Sequence, residues 1–123
     1  MNADGPRTAA QQSGAAGERS AERLLESHGL TIVERNYRTR MGEIDLVARD
    51  GDVLVFVEVR LRADDRFGGA AASIGPAKQR RLAAAASLYL ARFGRAPRCR
   101  FDVVTVQAGE PAWLRGAFEV AAG

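Results

Sequence analysis

Gly42-Glu43-Ile44-Asp45-Leu46-Val47-Ala48-Arg49 and Val53-Leu54-Val55-Phe56-Val57-Glu58-Val59-Arg60, joined through Asp50-Gly51-Asp52, decide how this chain folds. Both runs alternate with period two around Asp50-Gly51, a dipeptide that tolerates the positive φ of a type I′ turn, and so read as a β-hairpin. With Asp50 and Gly51 as the loop, Arg49 faces Asp52, Val47 faces Leu54, Asp45 faces Phe56 and Glu43 faces Glu58, all on one side of the sheet together with Arg60. Like charges opposite one another destabilise a sheet, so Glu43, Asp45 and Glu58 converging at one end call for compensation by water or by a bound cation. A hard divalent metal is the natural candidate. Away from that end the hairpin is apolar on both faces, with Ile44, Leu46, Val53, Val55, Val57 and Val59 on one and Val47, Leu54 and Phe56 on the other. Such a sheet needs helices on both sides, which sets the class as α/β with the charged cluster at the rim of a buried sheet.

Upstream, Leu30 to Arg38 reads as a strand through Ile32, Val33 and Tyr37, and Ala15 to His28 as a helix whose stripe is Ala21, Leu24, Leu25 and His28, stopped by Gly29. Glu18 continues that stripe by one turn. It is read either as a favourable charge near the helix N-terminus or as a further acidic ligand aimed at the carboxylate end of the sheet. Met1 to Gly14, small and polar without a periodic apolar face, is expected to be a flexible tail, leaving 15–123 as a single domain.

Downstream, Arg62 to Gly75 reads as a loop, and Pro76 opens a helix to about Phe93 whose inner face is Leu82, Ala86, Tyr89, Leu90 and Phe93. Its first turn, Lys78-Gln79-Arg80-Arg81, places cations where the helix dipole disfavours them. Either a phosphate group asks for them there, or they form a solvated, arginine-rich face. Arg100 to Gln107 reads as a fourth strand, Gly109 to Gly116 as a loop, and Ala117 to Val120 as a short edge strand.

The totals narrow the chemistry. The chain has 123 residues, a formal charge of +3, a single lysine (Lys78), a single cysteine (Cys99) and a single histidine (His28). One cysteine excludes an intramolecular disulfide or a multi-cysteine zinc site, and one histidine leaves little for imidazole chemistry, so any catalysis falls to carboxylates, Arg, Lys, Gln or hydroxyls. No apolar run approaches the roughly 18 residues of a membrane span, and the expectation is a cytoplasmic protein with no membrane partner.

Gly17-Glu18, Asn36-Tyr37-Arg38, Gly42-Glu43-Ile44-Asp45-Leu46, Phe56-Val57-Glu58-Val59-Arg60, Lys78-Gln79-Arg80-Arg81 and Arg100-Phe101-Asp102-Val103-Val104, in that order and spacing, resemble the YraN family of uncharacterised bacterial proteins. That family is similar to archaeal Holliday junction resolvases and to the PD-(D/E)XK nuclease superfamily, and the likeness runs from Gly17 to Val120. It implies a restriction-endonuclease-like core, a central mixed β-sheet flanked by α-helices. Carried over by position, Asp45 and Glu58 would hold magnesium (or manganese), one or two ions, with Glu18 adding to the metal site and Gln79 a polar neighbour from the second helix. Arg60 stands where the family has lysine. A guanidinium stays protonated above pH 12 and cannot act as a base, though it can position water or meet the charge of a pentavalent phosphate.

Three readings follow from the residues and the resemblance together. The first is a metal-dependent endonuclease hydrolysing DNA phosphodiesters, branched DNA included, with Arg38, Arg40, Arg62, Lys78, Arg80 and Arg81 gripping backbone phosphates. The second is a DNA-binding module whose catalysis is impaired by Arg60, and the third a non-catalytic structural or interaction protein whose carboxylates pair with rim arginines. A homodimer is expected by analogy with nucleases of two-fold junctions.

Overall fold

The computed structural model describes residues 9–61 and 74–118. Residues 1–8 of the expected tail, 62–73 of the expected loop and the end of the expected Ala117–Val120 strand lie outside the described residues. The elements are α1 (Ala9–Ser27), β1 (Thr31–Arg38), β2 (Glu43–Asp50), β3 (Val53–Leu61), α2 (Pro76–Leu90), β4 (Cys99–Gln107) and β5 (Glu110–Phe118). The strands form one mixed sheet in the order β1-β2-β3-β4-β5. Only β3 and β4 run parallel, and α2 lies between them in the chain, as a parallel crossover requires. The protein is therefore an α/β fold, a five-stranded mixed sheet with α1 packed on one face and α2 on the other.

Helix α1 starts at Ala9, six residues before the start read from the sequence. Ala9-Ala10-Gln11-Gln12 has good helix propensity without an apolar stripe, so periodicity does not register it. Its end follows the expected chemistry: Gly29 has φ +90°, the Leu30 N–H reaches the Leu25 carbonyl and the Gly29 N–H reaches the Glu26 carbonyl, a Schellman closure. Helix α2 begins at Pro76 as read but ends at Leu90. Arg92 and Phe93 continue in tighter turns, and Phe93 is exposed rather than on the inner face.

The hairpin forms with a shifted turn. Asp50 pairs with Val53, so Gly51 (φ +62°) and Asp52 make the loop in place of Asp50-Gly51. Asp50 stays in the strand because its carboxylate accepts a 3.0 Å bond from Arg100 Nη1. A shift by two residues leaves the alternation of faces in phase but changes who meets whom. Val47 faces Phe56 rather than Leu54, and the residues one step beyond the last paired rung, Leu46 with Val57, are Asp45 and Glu58. Asp45, and not Glu43, is thus the neighbour of Glu58.

A second departure lies beside it. Ile44 packs with Val47, Leu54 and Phe56 on the α2 side, whereas Leu46 and Ala48 pack on the α1 side, so strict alternation fails between Ile44 and Leu46. On β1, Asn36 sits between the rungs Arg35–Leu46 and Tyr37–Ile44 with φ +53°, a left-handed conformation that asparagine tolerates better than most residues. The irregularity in both strands falls at Asp45.

Residues 110–118, read largely as loop, form the edge strand β5 paired antiparallel to β4. Pro111 and Gly116 disguise it in the sequence. An edge strand tolerates a proline because one side of its backbone needs no donor, and Gly116 (φ +57°) falls beside the register shift between Phe101 and Val103. The core on the α2 face is aromatic, with Tyr37 and Phe56 each meeting Tyr89 edge-on at ring centroids of 5.2 and 5.8 Å.

Candidate functional site

Where the β2 alternation breaks, Asp45 turns its carboxylate toward β3 and accepts the backbone N–H of Val59 at 2.8 Å, a bond the ladder would otherwise supply from a carbonyl. This brings it against Glu58, close enough that each carboxyl acts on the other. Glu58 is only 6% exposed. Burial first, then the charge of Asp45, push the Glu58 carboxyl up to about 7, against the opposing pull of Lys78 and Arg60. Asp45 is also raised, chiefly by burial, although the Val59 N–H and Lys78 favour its charged form. Two buried acids facing one another therefore hold a proton near neutral pH, the pattern expected where like charges share one site.

The cation against this pair comes from α2. Lys78 Nζ lies 3.5 Å from Glu58 Oε1. That contact accounts for a lysine in the first turn of a helix, where the dipole opposes it: the charge below offsets the charge of the helix end. Lys78 also lines an open cleft of about 260 Å³ with Thr39, Arg40, Met41, Gly42, Glu43, Arg81 and Leu82. The cleft has a fixed wall. Thr39 Oγ1 accepts from the N–H groups of Met41 and Gly42 and donates to the Gly42 carbonyl, tying off the β1–β2 turn. Gly42 must be glycine, since a Cβ there would lie 2.5 Å from the Arg81 carbonyl oxygen.

The remaining expected site residues divide. Glu18, half-buried on α1, has its carboxyl raised by burial and by the charges of Asp45, Glu22 and Glu43, so it stands within electrostatic range of the pair. Arg60 acts on Glu58 through its charge. Gln79 is engaged elsewhere, its amide nitrogen donating to the Ile74 carbonyl at 3.0 Å and bracing the entry to α2. Glu43 pairs with Arg38 at 3.5 Å on the exposed rim. Arg40 and Arg81 line the cleft beside Lys78, Arg80 is exposed on the same helical turn, and Arg62 lies outside the described residues. Among the described residues no three of His, Cys, Asp and Glu gather closely enough to enclose a metal ion.

A cleft at the charged rim is what the sequence leads one to expect, but the seat of Lys78 over Glu58 is not. The available signal was the single lysine at an electrostatically unfavourable helix end. Asp102, which the sequence suggests pairs with a neighbouring arginine, does so, and more: it is 1% exposed and receives Arg100 Nε (3.0 Å), Trp113 Nε1 (2.9 Å) and the Gly116 N–H (2.9 Å). That network ties β5 to β4 on the α1 face.

Fold and site together define an α/β protein with a buried carboxylate pair at the end of a central hairpin, beside a cationic cleft. The family model described as "Uncharacterised protein family UPF0102" matches residues 17–106. Bacterial relatives agree along nearly the whole chain: a UPF0102 protein of Herminiimonas arsenicoxydans is 55% identical over 114 residues, covering 93% of this chain and 92% of its own. One of Ralstonia pickettii is 54% identical over 125 residues, covering 98% of each. The chain belongs to the UPF0102 family.

Proposed function

We propose that this protein is a metal-dependent DNA phosphodiesterase of the PD-(D/E)XK kind, built on a restriction-endonuclease-like sheet and acting on DNA, with branched DNA as the first substrate to test. The observation that carries the reading is the Asp45–Glu58 pair, two carboxylates held together largely out of water and joined through Lys78 to a cleft lined also by Arg40 and Arg81. A fold that needed only stability would not bury two acids face to face.

The donor set supports a hard cation. Mg²⁺ is held by one or two carboxylates, keeps several waters and takes further ligands from phosphate, so two acids without a third suit it better than a protein-only cage. Mn²⁺ shares that preference. Asp45 and Glu58 would hold the ion, with Glu18 near enough to add charge. When bound, the ion would supply Lewis acidity and lower the pKa of a coordinated water. The chain's own residues do the rest. Val59 N–H fixes the Asp45 carboxylate, the Thr39 turn and Gly42 hold the cleft wall against α2, and Arg40 and Arg81, with Arg38 and Arg80 on the rim, meet backbone phosphates without reading bases. A homodimer suits a two-fold junction, and DNA as substrate goes with a cytoplasmic setting.

The test is Mg²⁺- or Mn²⁺-dependent cleavage of linear, flap and four-way-junction DNA by the native chain and by Asp45→Asn. Cleavage of at least one substrate, lost in Asp45→Asn, is expected. Cleavage that survives Asp45→Asn, or none by the native chain and Arg60→Lys alike, overturns it. A second reading, a DNA-binding module with impaired catalysis, is favoured by Arg60, which cannot act as a base. It predicts salt-sensitive DNA binding by the native chain and cleavage gained only with Arg60→Lys.

A further inference from the structure

We infer that Lys78 is the lysine of this site: delivered from the first turn of α2 instead of from β3, it orients the attacking water and meets the charge of the scissile phosphate. This rests on the phosphodiesterase reading above and assigns within it a residue that the sequence placed among the phosphate grips.

Three observations converge on Lys78. Its ammonium lies 3.5 Å from Glu58, whose side chain is 7% exposed, so it is seated at the acid pair and not merely on the surface near it. It is the cation shared between that pair and the cleft, which gives it reach to a backbone phosphate lying along Arg40 and Arg81. And it is the chain's only lysine, in a protein whose β3 position carries Arg60. The two cations differ in what they can do. A guanidinium is a planar fork on a fixed geometry, whereas an ammonium is a compact charge with three rotatable donors. With one donor on Glu58, Lys78 keeps two for a water and for a non-bridging phosphate oxygen.

The step served is the addition of one water across a P–O ester bond. The water oxygen bonds to phosphorus, the bond from phosphorus to the leaving sugar oxygen breaks, that oxygen takes one proton, and the second proton passes to solvent. Lys78 remains protonated throughout and contributes by donating hydrogen bonds. Losing one such aligned donor costs about 100-fold or more in turnover.

The experiment compares the native chain, Lys78→Ala, Lys78→Arg, Arg60→Lys, Asp45→Asn and the double variant Lys78→Ala/Arg60→Lys, measuring cleavage with Mg²⁺ and DNA affinity by anisotropy without divalent metal. The expected result is a drop of about 100-fold in kcat for Lys78→Ala, with DNA affinity within about twofold of native and at least tenfold recovery of kcat in the double variant. Lys78→Arg, which keeps the charge on Glu58, should fold with native Tm and still lose turnover, separating chemistry from folding. If Lys78→Ala instead weakens DNA binding and leaves kcat unchanged, Lys78 is a phosphate grip and the inference fails while the phosphodiesterase reading stands. If the native chain is inactive and Arg60→Lys alone is active, the strand position is the one that counts, and the inference fails again. Cleavage that persists in Asp45→Asn, or is absent from every variant, removes the reading and this inference with it.

Discussion

Replacing Glu58 by glutamine should stabilise the protein, and only above mildly acidic pH. The Glu58 carboxyl is pushed from an ordinary value of 4.5 to about 7 by burial and by Asp45, so the folded state binds its proton more tightly than the unfolded chain does. For an acid with a raised folded pKa, the penalty is absent below about 4.5, where both states are protonated. It grows between 4.5 and 7 and is complete above 7, where folding must strip the proton from a buried group. At about 1.4 kcal/mol per pH unit the shift corresponds to about 3 kcal/mol. Glutamine removes the charge, keeps the shape and can donate its amide to Asp45. The Lys78 ion pair it gives up is already counted in that shift, since the value of about 7 is reached against the pull of Lys78. The net expectation is a gain of about 3 kcal/mol at pH 8, or roughly 9–15 °C in Tm for a domain of this size. Thermal melts of native protein and Glu58→Gln from pH 4.5 to 8.5 decide it. A gain that rises with pH and disappears near pH 4.5 is the expected pattern. Equal or lower Tm at pH 8 would mean that Glu58 is not an unfavourably buried acid, and the case for a site held at a cost to stability would fall.

Mg²⁺ should raise the Tm of the native chain and leave Asp45→Asn unmoved, by about 1.4 kcal/mol when the free ion is tenfold above its dissociation constant; calorimetry in a metal titration measures it. Gly42→Ala should lower stability by about 1–3 kcal/mol in urea unfolding, because its Cβ meets the Arg81 backbone 2.5 Å away and forces the β1–β2 turn off α2. Arg81→Ala should reduce DNA affinity uniformly across sequences and lower the slope of log affinity against log salt by about 1, read by anisotropy at several salt concentrations.

Much of this architecture is written in the chain through strong local signals. The hairpin, the strand β4, the helix opening at Pro76 and the closure at Gly29 each rest on a period or a backbone requirement that acts over a few residues. The misses have tertiary causes. The turn shifted because Arg100, fifty residues away, holds Asp50 in the strand. Ile44 changed faces because Asn36 on the neighbouring strand takes a left-handed conformation, which no pattern within β2 reveals. β5 was hidden because Pro111 and Gly116 are turn residues in most settings and edge-strand residues in this one. At the site, Asp45 and Glu58 were legible as two acids on one face. Their direct adjacency depended on the register, and the seat of Lys78 depended on how α2 lies on the sheet.

The two ways in which this sheet treats its acids show why that adjacency matters. Asp102 is nearly inaccessible yet fully answered, with a guanidinium, an indole N–H and a backbone N–H converging on its carboxylate, and it ties β5 down in the process. This is how the fold treats an acid kept for structure: a donor for each oxygen and no space beside it. Asp45 and Glu58 are treated differently. Asp45 accepts a backbone N–H, Glu58 lies against the Lys78 ammonium and within the field of Arg60, the two acids face each other, and Lys78 also opens onto a cleft lined by further arginines. A purely structural pair would gain by losing either charge, as Asp45→Asn or Glu58→Gln would, and selection for stability alone would favour that change. The same chain thus contains its own control. Measured against Asp102, the Asp45–Glu58 pair sets one acid against another, burial raising both carboxyls, and that is the arrangement the proposed divalent cation would relieve.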